Sequence, residues 1–406
     1  MLKGIGSVYR EAYSGLSRQT WLLSLVMLIN RSGTMVIGFM SVYVVDKEGL
    51  GWTISSAGVV MACFGIGSIL GAFAGGKITD RFGFYPLQVG ALVTGGIMFI
   101  VLGYIRSFLP LCGATFLLSL CNESFRPANS TAIAYYSNAA NRTRSFSLNR
   151  LAINLGWAAG GALGGILADI DYHLLFWVDG CTNIFAAVLM LVLLPVVKHQ
   201  RQKRSTEKQV NASPYKDRKY MFFTAMVLLY AVCFLQLFGM QSLFFKEEWQ
   251  LSKSSIGLLM AVNGLIIALV EMVVVYHLEK KRTGLYYISI GALLTGTGYV
   301  LVNFMPPAFP SALLAIIFIT AGEIFALPFM NSYWVSRTTE NNRGSYAAVY
   351  TMAWSAAHVV APTSGSQLAA HAGFSVLWWV TGGVTVLVSA GSLWLDRLTR
   401  KVPAEV

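Results

Sequence analysis

Residues 90–95 read GALVTG and residues 291–296 read GALLTG, nearly the same hexapeptide 201 positions apart in a chain of 406. The offset holds elsewhere. Arg81 and Gly83 fall on Arg282 and Gly284, Pro127 on Pro328, Arg142 on Arg343, and Gly164 on Gly365. Slightly upstream, SSAGVVMA (55–62) recurs as SSIGLLMA (254–261) at an offset of 199, so one small insertion or deletion separates the two registers. A repeat of this size means two units built alike. In membrane proteins of that design the ligand sits at the seam between them.

The composition makes this a membrane chain. Hydrophobic residues make up 55% and charged residues 12%, where an average soluble domain is about a quarter charged. Twelve apolar stretches, each of a length that crosses a ~30 Å hydrocarbon core as a helix, fall at 21–45, 52–76, 86–105, 108–136, 146–168, 174–196, 220–244, 254–278, 285–303, 310–335, 345–370 and 374–395. An all-helical fold follows, because lipid cannot satisfy free backbone groups. The one long polar stretch, 198–219, divides the chain into an N-terminal six-helix bundle (1–197) and a C-terminal one (220–406).

The net charge of +12 suggests nucleic acid, but its distribution excludes that partner. With the N-terminus inside, Lys3, Arg10, Arg18, Lys77, Arg81, Arg142, Arg144, Lys280, Lys281, Arg282, Arg337, Arg343, Arg397, Arg400 and Lys401 all fall at cytoplasmic ends, with the linker's basic residues. Only Lys47, Arg106, Lys246 and Lys253 fall outside. This is the positive-inside pattern, and it places both termini in the cytoplasm of a multi-pass plasma-membrane protein, a bacterial inner membrane being the expected one. The basic ends also suit contact with anionic lipid. The N-terminus shows no cleavable signal, and the first apolar run reads as an uncleaved anchor. Five scattered cysteines read as small packing residues. No cofactor or metal is implied, and no nucleophile constellation supports an enzyme.

Several stretches carry a family resemblance. The loop after the second span reads Gly75-Gly76-Lys77-Ile78-Thr79-Asp80-Arg81-Phe82-Gly83. The fifth span contains Gly156, Gly160, Gly161, Gly164 and Gly165, small residues four apart that allow close helix packing. Phe125-Arg126-Pro127, Phe146-Ser147-Leu148, Ile153-Asn154-Leu155-Gly156-Trp157 and Gly322-Glu323-Ile324 complete the set. Together with the twelve-span layout they resemble the major facilitator superfamily, covering nearly the whole chain. The loop is similar to that family's G-x-x-x-D-R-x-G motif, which implies a conformational gate at Gly76, Asp80, Arg81 and Gly83. The second-half copy, Lys281-Arg282-Thr283-Gly284, keeps Arg and Gly but lacks the acid.

The glycines resemble the antiporter motif of drug:proton exchangers, with Gly161 where that motif has proline. Generic packing and antiporter-specific bending both remain open. The Arg-Pro and Gly-Glu stretches are similar to those of bacterial drug and dipeptide exporters and of proton-coupled oligopeptide transporters. The latter also carry E-x-x-E-R in the first helix. Met27 and Asn30 stand where those glutamates belong, leaving only Arg31, which favours the exporters.

Independently of any family, Arg31, Glu123, Arg126, Glu271 and Glu323 lie well inside apolar spans. Each ionisable group at mid-bilayer costs roughly 2.5–3.5 kcal/mol on insertion scales, so such groups face a cavity, pair, or carry function. Glu123 and Arg126 are three apart and share a helix face. Either they satisfy each other or they line the cavity. Glu323 has only apolar neighbours in sequence, which favours a neutral acid and makes it the leading proton carrier. Glu271 and Glu123 are the other candidates, Glu271 also reading as a latch between halves. Arg31, Arg126, Asn154, Trp157, Gln236 and Trp354 are the candidate cavity residues. Asp179 reads as interfacial, and His358 as a hydrogen-bond partner or a coupling group.

The expected function is proton-coupled secondary transport of small, drug-like or amphipathic molecules by alternating access, in the export direction, by a monomer. Symport of peptides or other zwitterions is the alternative, and a non-transporting membrane receptor is the alternative of another class.

Overall fold

A computed structural model describes residues 5–45, 49–197, 213–279, 281–339 and 341–400. Lys3, Lys47, Lys280 and Lys401 of the topology argument, and residues 198–212 of the linker, lie outside that set. Among the described residues the regular structure is helical: α1 (Ile5–Tyr13), α2 (Arg18–Ser32), α3 (Met35–Val45), α4 (Ile54–Phe82), α5 (Phe84–Leu102), α6 (Phe108–Tyr136), α7 (Arg142–Ile170) and α8 (Tyr172–Leu193), then α9 (Arg218–Leu235), α10 (Ser242–Glu247), α11 (Lys253–Leu278), α12 (Gly284–Leu301), α13 (Phe309–Ser336) and α14 (Arg343–Arg400).

Nine of the described helices are long and apolar enough to cross a membrane. Three local features reconcile that number with twelve passes. The continuous helix expected over 21–45 is broken between α2 and α3, so neither piece is long enough alone. The helix α7 is 29 residues long but carries Arg142, Arg144, Asn149, Arg150 and Asn154, which lower its hydropathy. The 58-residue α14 reverses at Gly373, where φ is +85° and ψ is 163°, and so makes two passes. Only glycine adopts that backbone cheaply. The seventh span also departs from a plain helix, with a π turn over Leu237–Gln241 between α9 and α10.

The break in the first span corrects the reading of Asp179. Rather than lying at an interface, this side chain is wholly buried. Its two carboxylate oxygens accept hydrogen bonds from the amides of Met35 (3.0 Å) and Val36 (2.7 Å). A helix that restarts inside the membrane exposes unpaired amides and a positive dipole end, and a carboxylate from α8 satisfies both. Asn183, one turn further along α8, accepts from Asn30 at 2.8 Å. Thus α8 braces both sides of the break.

Helices α2 to α8 pack chiefly among themselves, as do α9 to α14. Between these halves α4 packs on α14, α6 on α14, and α7 on both α11 and α13. The outer surface carries large exposed apolar side chains such as Ile66, Leu109, Ile170, Val192 and Leu387. In water they would be a liability; against lipid they are the solvated face. The protein is an integral, multi-pass membrane protein.

Candidate functional site

The centre of the molecule is organised by Arg150. It lies on α7, beyond the helix's glycine seam. That seam packs α7 against α2 and α3. A methyl group on Gly156 would stand 2.6 Å from Arg31 Cβ, one on Gly160 2.9 Å from Ser32 O, and one on Gly164 2.9 Å from Phe39 Cε2. Another face of α7 turns towards the opposite half. Arg150 Nη2 donates to Glu323 Oε1 of α13 at 2.7 Å, and Nη1 lies 2.9 Å from Glu271 Oε2 of α11. All three side chains are nearly excluded from solvent, at 11%, 5% and 3% exposure for Arg150, Glu323 and Glu271.

The two carboxylates are not equivalent. Glu323 Oε2 also accepts from Asn263 Nδ2 at 3.2 Å, and Asn263 reaches Thr320 Oγ1 at 2.9 Å. Glu271 is close to Arg150 but off its N–H axes, so neither Glu271 oxygen completes a hydrogen bond with good angles. Glu323 is therefore held by directed hydrogen bonds, and Glu271 chiefly by the Arg150 charge with the Ser147 hydroxyl beside it. The absence of a basic partner read for Glu323 from its sequence neighbours is corrected here, since the base arrives from the other half of the chain.

A second cluster lies in the N-terminal half. Arg126 Nη1 donates to Glu123 Oε2 at 2.9 Å within α6, and the Arg126 side chain stays 32% exposed. Arg31 lies within electrostatic reach of both, yet it forms no hydrogen bond or ion pair with any described residue. Across the seam, Tyr350 is within reach of Arg126 and Arg150, and His358 of Glu123 and Arg126. Trp354 is half-buried against Phe234, with ring centroids 6.1 Å apart. Its carbonyl oxygen is 2.8 Å from His358 Nδ1. Asn154 is half-buried one turn beyond Arg150, and Trp157 is exposed.

The structure thus brings Glu271 and Glu323 together, and separately Arg31, Glu123 and Arg126. Gln236 belongs to neither group: it is buried, and its Nε2 donates to Ala361 O at 3.0 Å. Sequence reasoning missed Arg150 and Asn263. Arg150 sits six residues after Arg144 near the start of its span, so it passed for one more inner-end positive charge. The available signal was arithmetic: two acids in apolar spans with no base near them in sequence require one from elsewhere.

The end of the molecule that carries the basic loops is closed by contacts between halves. Asp80 accepts from the Gly344 amide (2.6 Å), the Ser345 amide (2.8 Å) and the Ser345 hydroxyl, all in the first turn of α14. A carboxylate is favoured there by the free amides and the dipole. Gly76 permits the approach, since a methyl group on it would lie 2.2 Å from Ala348 Cβ and 2.6 Å from Gly344 O. Gly83 adopts φ +89° where α4 turns into α5. Arg81 lies over the Phe82 ring, 5.1 Å from its centroid, rather than on Asp80.

Arg144 Nε meets Glu279 at 2.9 Å while its Nη1 donates to Ala12 O and Ser14 O, tying α1, α7 and α11 into one plug. Higher up, Ser68 donates to Ser355 at 3.0 Å. These inter-half polar contacts all lie between the middle of the molecule and its basic end.

Comparison with known proteins supports the fold. The family model described as Major Facilitator Superfamily matches residues 21–362 and 244–406. A "Na(+), Li(+), K(+)/H(+) antiporter" of Planococcus maritimus is 25% identical, over 92% of this chain and 94% of its own length. "Multidrug resistance protein 1" of Bacillus subtilis is 21% identical, over 77% of this chain and 80% of its own. Among solved structures, a bacterial homologue of the iron transporter ferroportin in an outward-facing state superposes with a TM-score of 0.75 at 15% identity, covering 94% of this chain and all of that one. At that identity the likeness speaks for the fold alone.

Proposed function

The chain belongs to the major facilitator superfamily, and from that premise and the charge bridge at its centre we propose a proton-coupled transporter that exports small amphipathic molecules by alternating access. The single observation that carries the coupling scheme is the pair of contacts from Arg150 to Glu323 and Glu271. One base from the N-terminal half holds two acids of the C-terminal half. With both acids ionised the bridge holds the halves together on the side where Asp80 and Arg144 also join them. A proton arriving from the open side neutralises an acid, removes its attraction for Arg150 and loosens that closure. Glu323 is the main proton carrier in this scheme and Glu271 the charge-held latch. The relatives' activities, antiport against protons and drug resistance, support the export direction.

The basic end is the cytoplasmic one on the positive-inside argument, so the closed arrangement is outward-facing and both termini are inside. The halves divide as 1–197 and 220–406, and the protein works as a monomer among anionic lipids. Reconstituted protein with an imposed proton gradient tests the reading. Uphill substrate movement against the proton flow is expected from the native chain and its loss from Glu323→Gln. Undiminished uphill transport by Glu323→Gln would refute the carrier assignment. Co-movement of substrate and proton would instead establish symport.

A further inference from the structure

Both oxygens of Glu323 meet hydrogen-bond donors. Oε1 accepts from Arg150 Nη2 at 2.7 Å and Oε2 from Asn263 Nδ2 at 3.2 Å, and among the described residues no acceptor is bonded to either. Arg150 comes from the opposite half, whereas Asn263, on α11, belongs to the same half as Glu323. An asparagine side chain offers N–H groups at one end and a carbonyl oxygen at the other, so the end that faces Glu323 decides which form of the acid it suits. Thr320, one turn before Glu323 on α13, makes that choice. Its hydroxyl donates to Ile316 O at 2.7 Å, which leaves its oxygen to accept from Asn263 Nδ2 at 2.9 Å. Turning the amide over would set two oxygens face to face or cost Thr320 its bond to Ile316. Asn263 and Thr320 are both buried, where a lost bond is expensive.

We infer that Asn263 and Thr320 are positioning residues that make a proton taken up at Glu323 displace Arg150. A neutral carboxyl carries an O–H that needs an acceptor, and the two donors in place supply none. One of them must give way. Asn263 is held by Thr320 within its own half; Arg150 is held across the seam and is also drawn to Glu271, 2.9 Å away. The proton therefore breaks the bond that joins the halves. The other groups near Glu323 leave this choice unchanged. Glu271 lies on the far side of Arg150, the Tyr230 hydroxyl pairs with Thr295 at 3.2 Å, and the Tyr299 hydroxyl donates to Phe234 O at 3.3 Å. All three act on Glu323 through charge rather than by hydrogen bonds. The inference rests on the reading of Glu323 as proton carrier and adds what keeps the proton from being absorbed inside one half.

Two titrations of the purified full chain test it. Infrared difference spectra follow the protonated-carboxyl band that Glu323→Gln removes, and spin labels at Phe82 and Tyr286, exposed at the basic end on opposite halves, follow the separation of the halves. In the native protein the two midpoints should coincide. Thr320→Val keeps the volume but frees the amide to turn and accept from the neutral acid, so the carboxyl should protonate at a higher pH than the halves part. Thr320→Ser keeps the hydroxyl and should restore the coincidence. Asn263→Leu removes the donor, and protonation should then need about tenfold less proton, the worth of a hydrogen bond to a charged group. Midpoints that still coincide in Thr320→Val, or that separate equally in Thr320→Ser, would overturn the inference. So would an Asn263→Leu carboxyl that titrates as the native one does. If the midpoints behave as expected but Glu323→Gln still transports uphill, the carrier assignment fails and the Thr320–Asn263 lock stands.

Discussion

At the scale of single residues, Arg150 holds two acids with one guanidinium in a setting where every unpaired charge is expensive. Replacing it by Gln strands Glu271 and Glu323 as buried carboxylates without a counter-charge. Loss of about 3–5 kcal/mol is expected, the usual cost of breaking a buried pair from one side. The check is a thermal melt at neutral pH and again under acid conditions. Because protonated acids no longer need the base, acidification should narrow the deficit. A deficit that grows on acidification would mean that the acids are not the reason for it. The residue scale is also where the sequence was least legible. Four of the five intramembrane charges singled out by their apolar neighbours meet charged partners, and the fifth, Arg31, lies within electrostatic reach of two of them. Arg150 was hidden because its immediate neighbours look like a cytoplasmic helix start, and its partners are more than a hundred residues away.

At the scale of elements, two contacts depend on glycine. Gly76 lets α4 meet α14, and Gly156 lets α7 meet α2. A Val side chain at Gly76 must clash with both Ala348 Cβ and the Gly344 carbonyl, so Gly76→Val should hold the basic end open. Cysteines placed there would then react with a water-soluble thiol reagent several-fold faster than in the native background; unchanged reactivity would show that the closure does not need this glycine. Asp80→Asn keeps the shape but gives up the charge at the start of α14. A cost of about 0.5–2 kcal/mol to the closed arrangement is expected, visible in the same assay as a smaller shift in the same direction. The elements themselves were largely legible. Hydropathy located the spans because it reports which residues lipid will accept. It cannot report where a helix breaks, and so the gap at Gly33–Thr34 and the π turn at Leu237–Gln241 went unseen. Both depend on partners: Asp179 caps the first, and Gln236 anchors the second to Ala361.

At the scale of the whole molecule, the internal repeat predicted a seam with titratable groups in it, and the central charges do lie where the halves meet. What the repeat could not convey is the asymmetry. At the bridge the N-terminal half supplies the base, Arg150, and the C-terminal half supplies both acids, Glu271 and Glu323. In the proposed coupling scheme the Arg150 bridge connects proton binding to the movement of the halves. The most direct test is the distance between spin labels at Phe82 and Tyr286, exposed positions at the basic end on opposite halves. It should be followed across pH in the native background and in Glu271→Gln/Glu323→Gln. The account predicts a short distance at neutral pH that lengthens on acidification in the native protein, and a long distance independent of pH in the double variant. A double variant that stays closed, or that opens with acid as the native protein does, would contradict it.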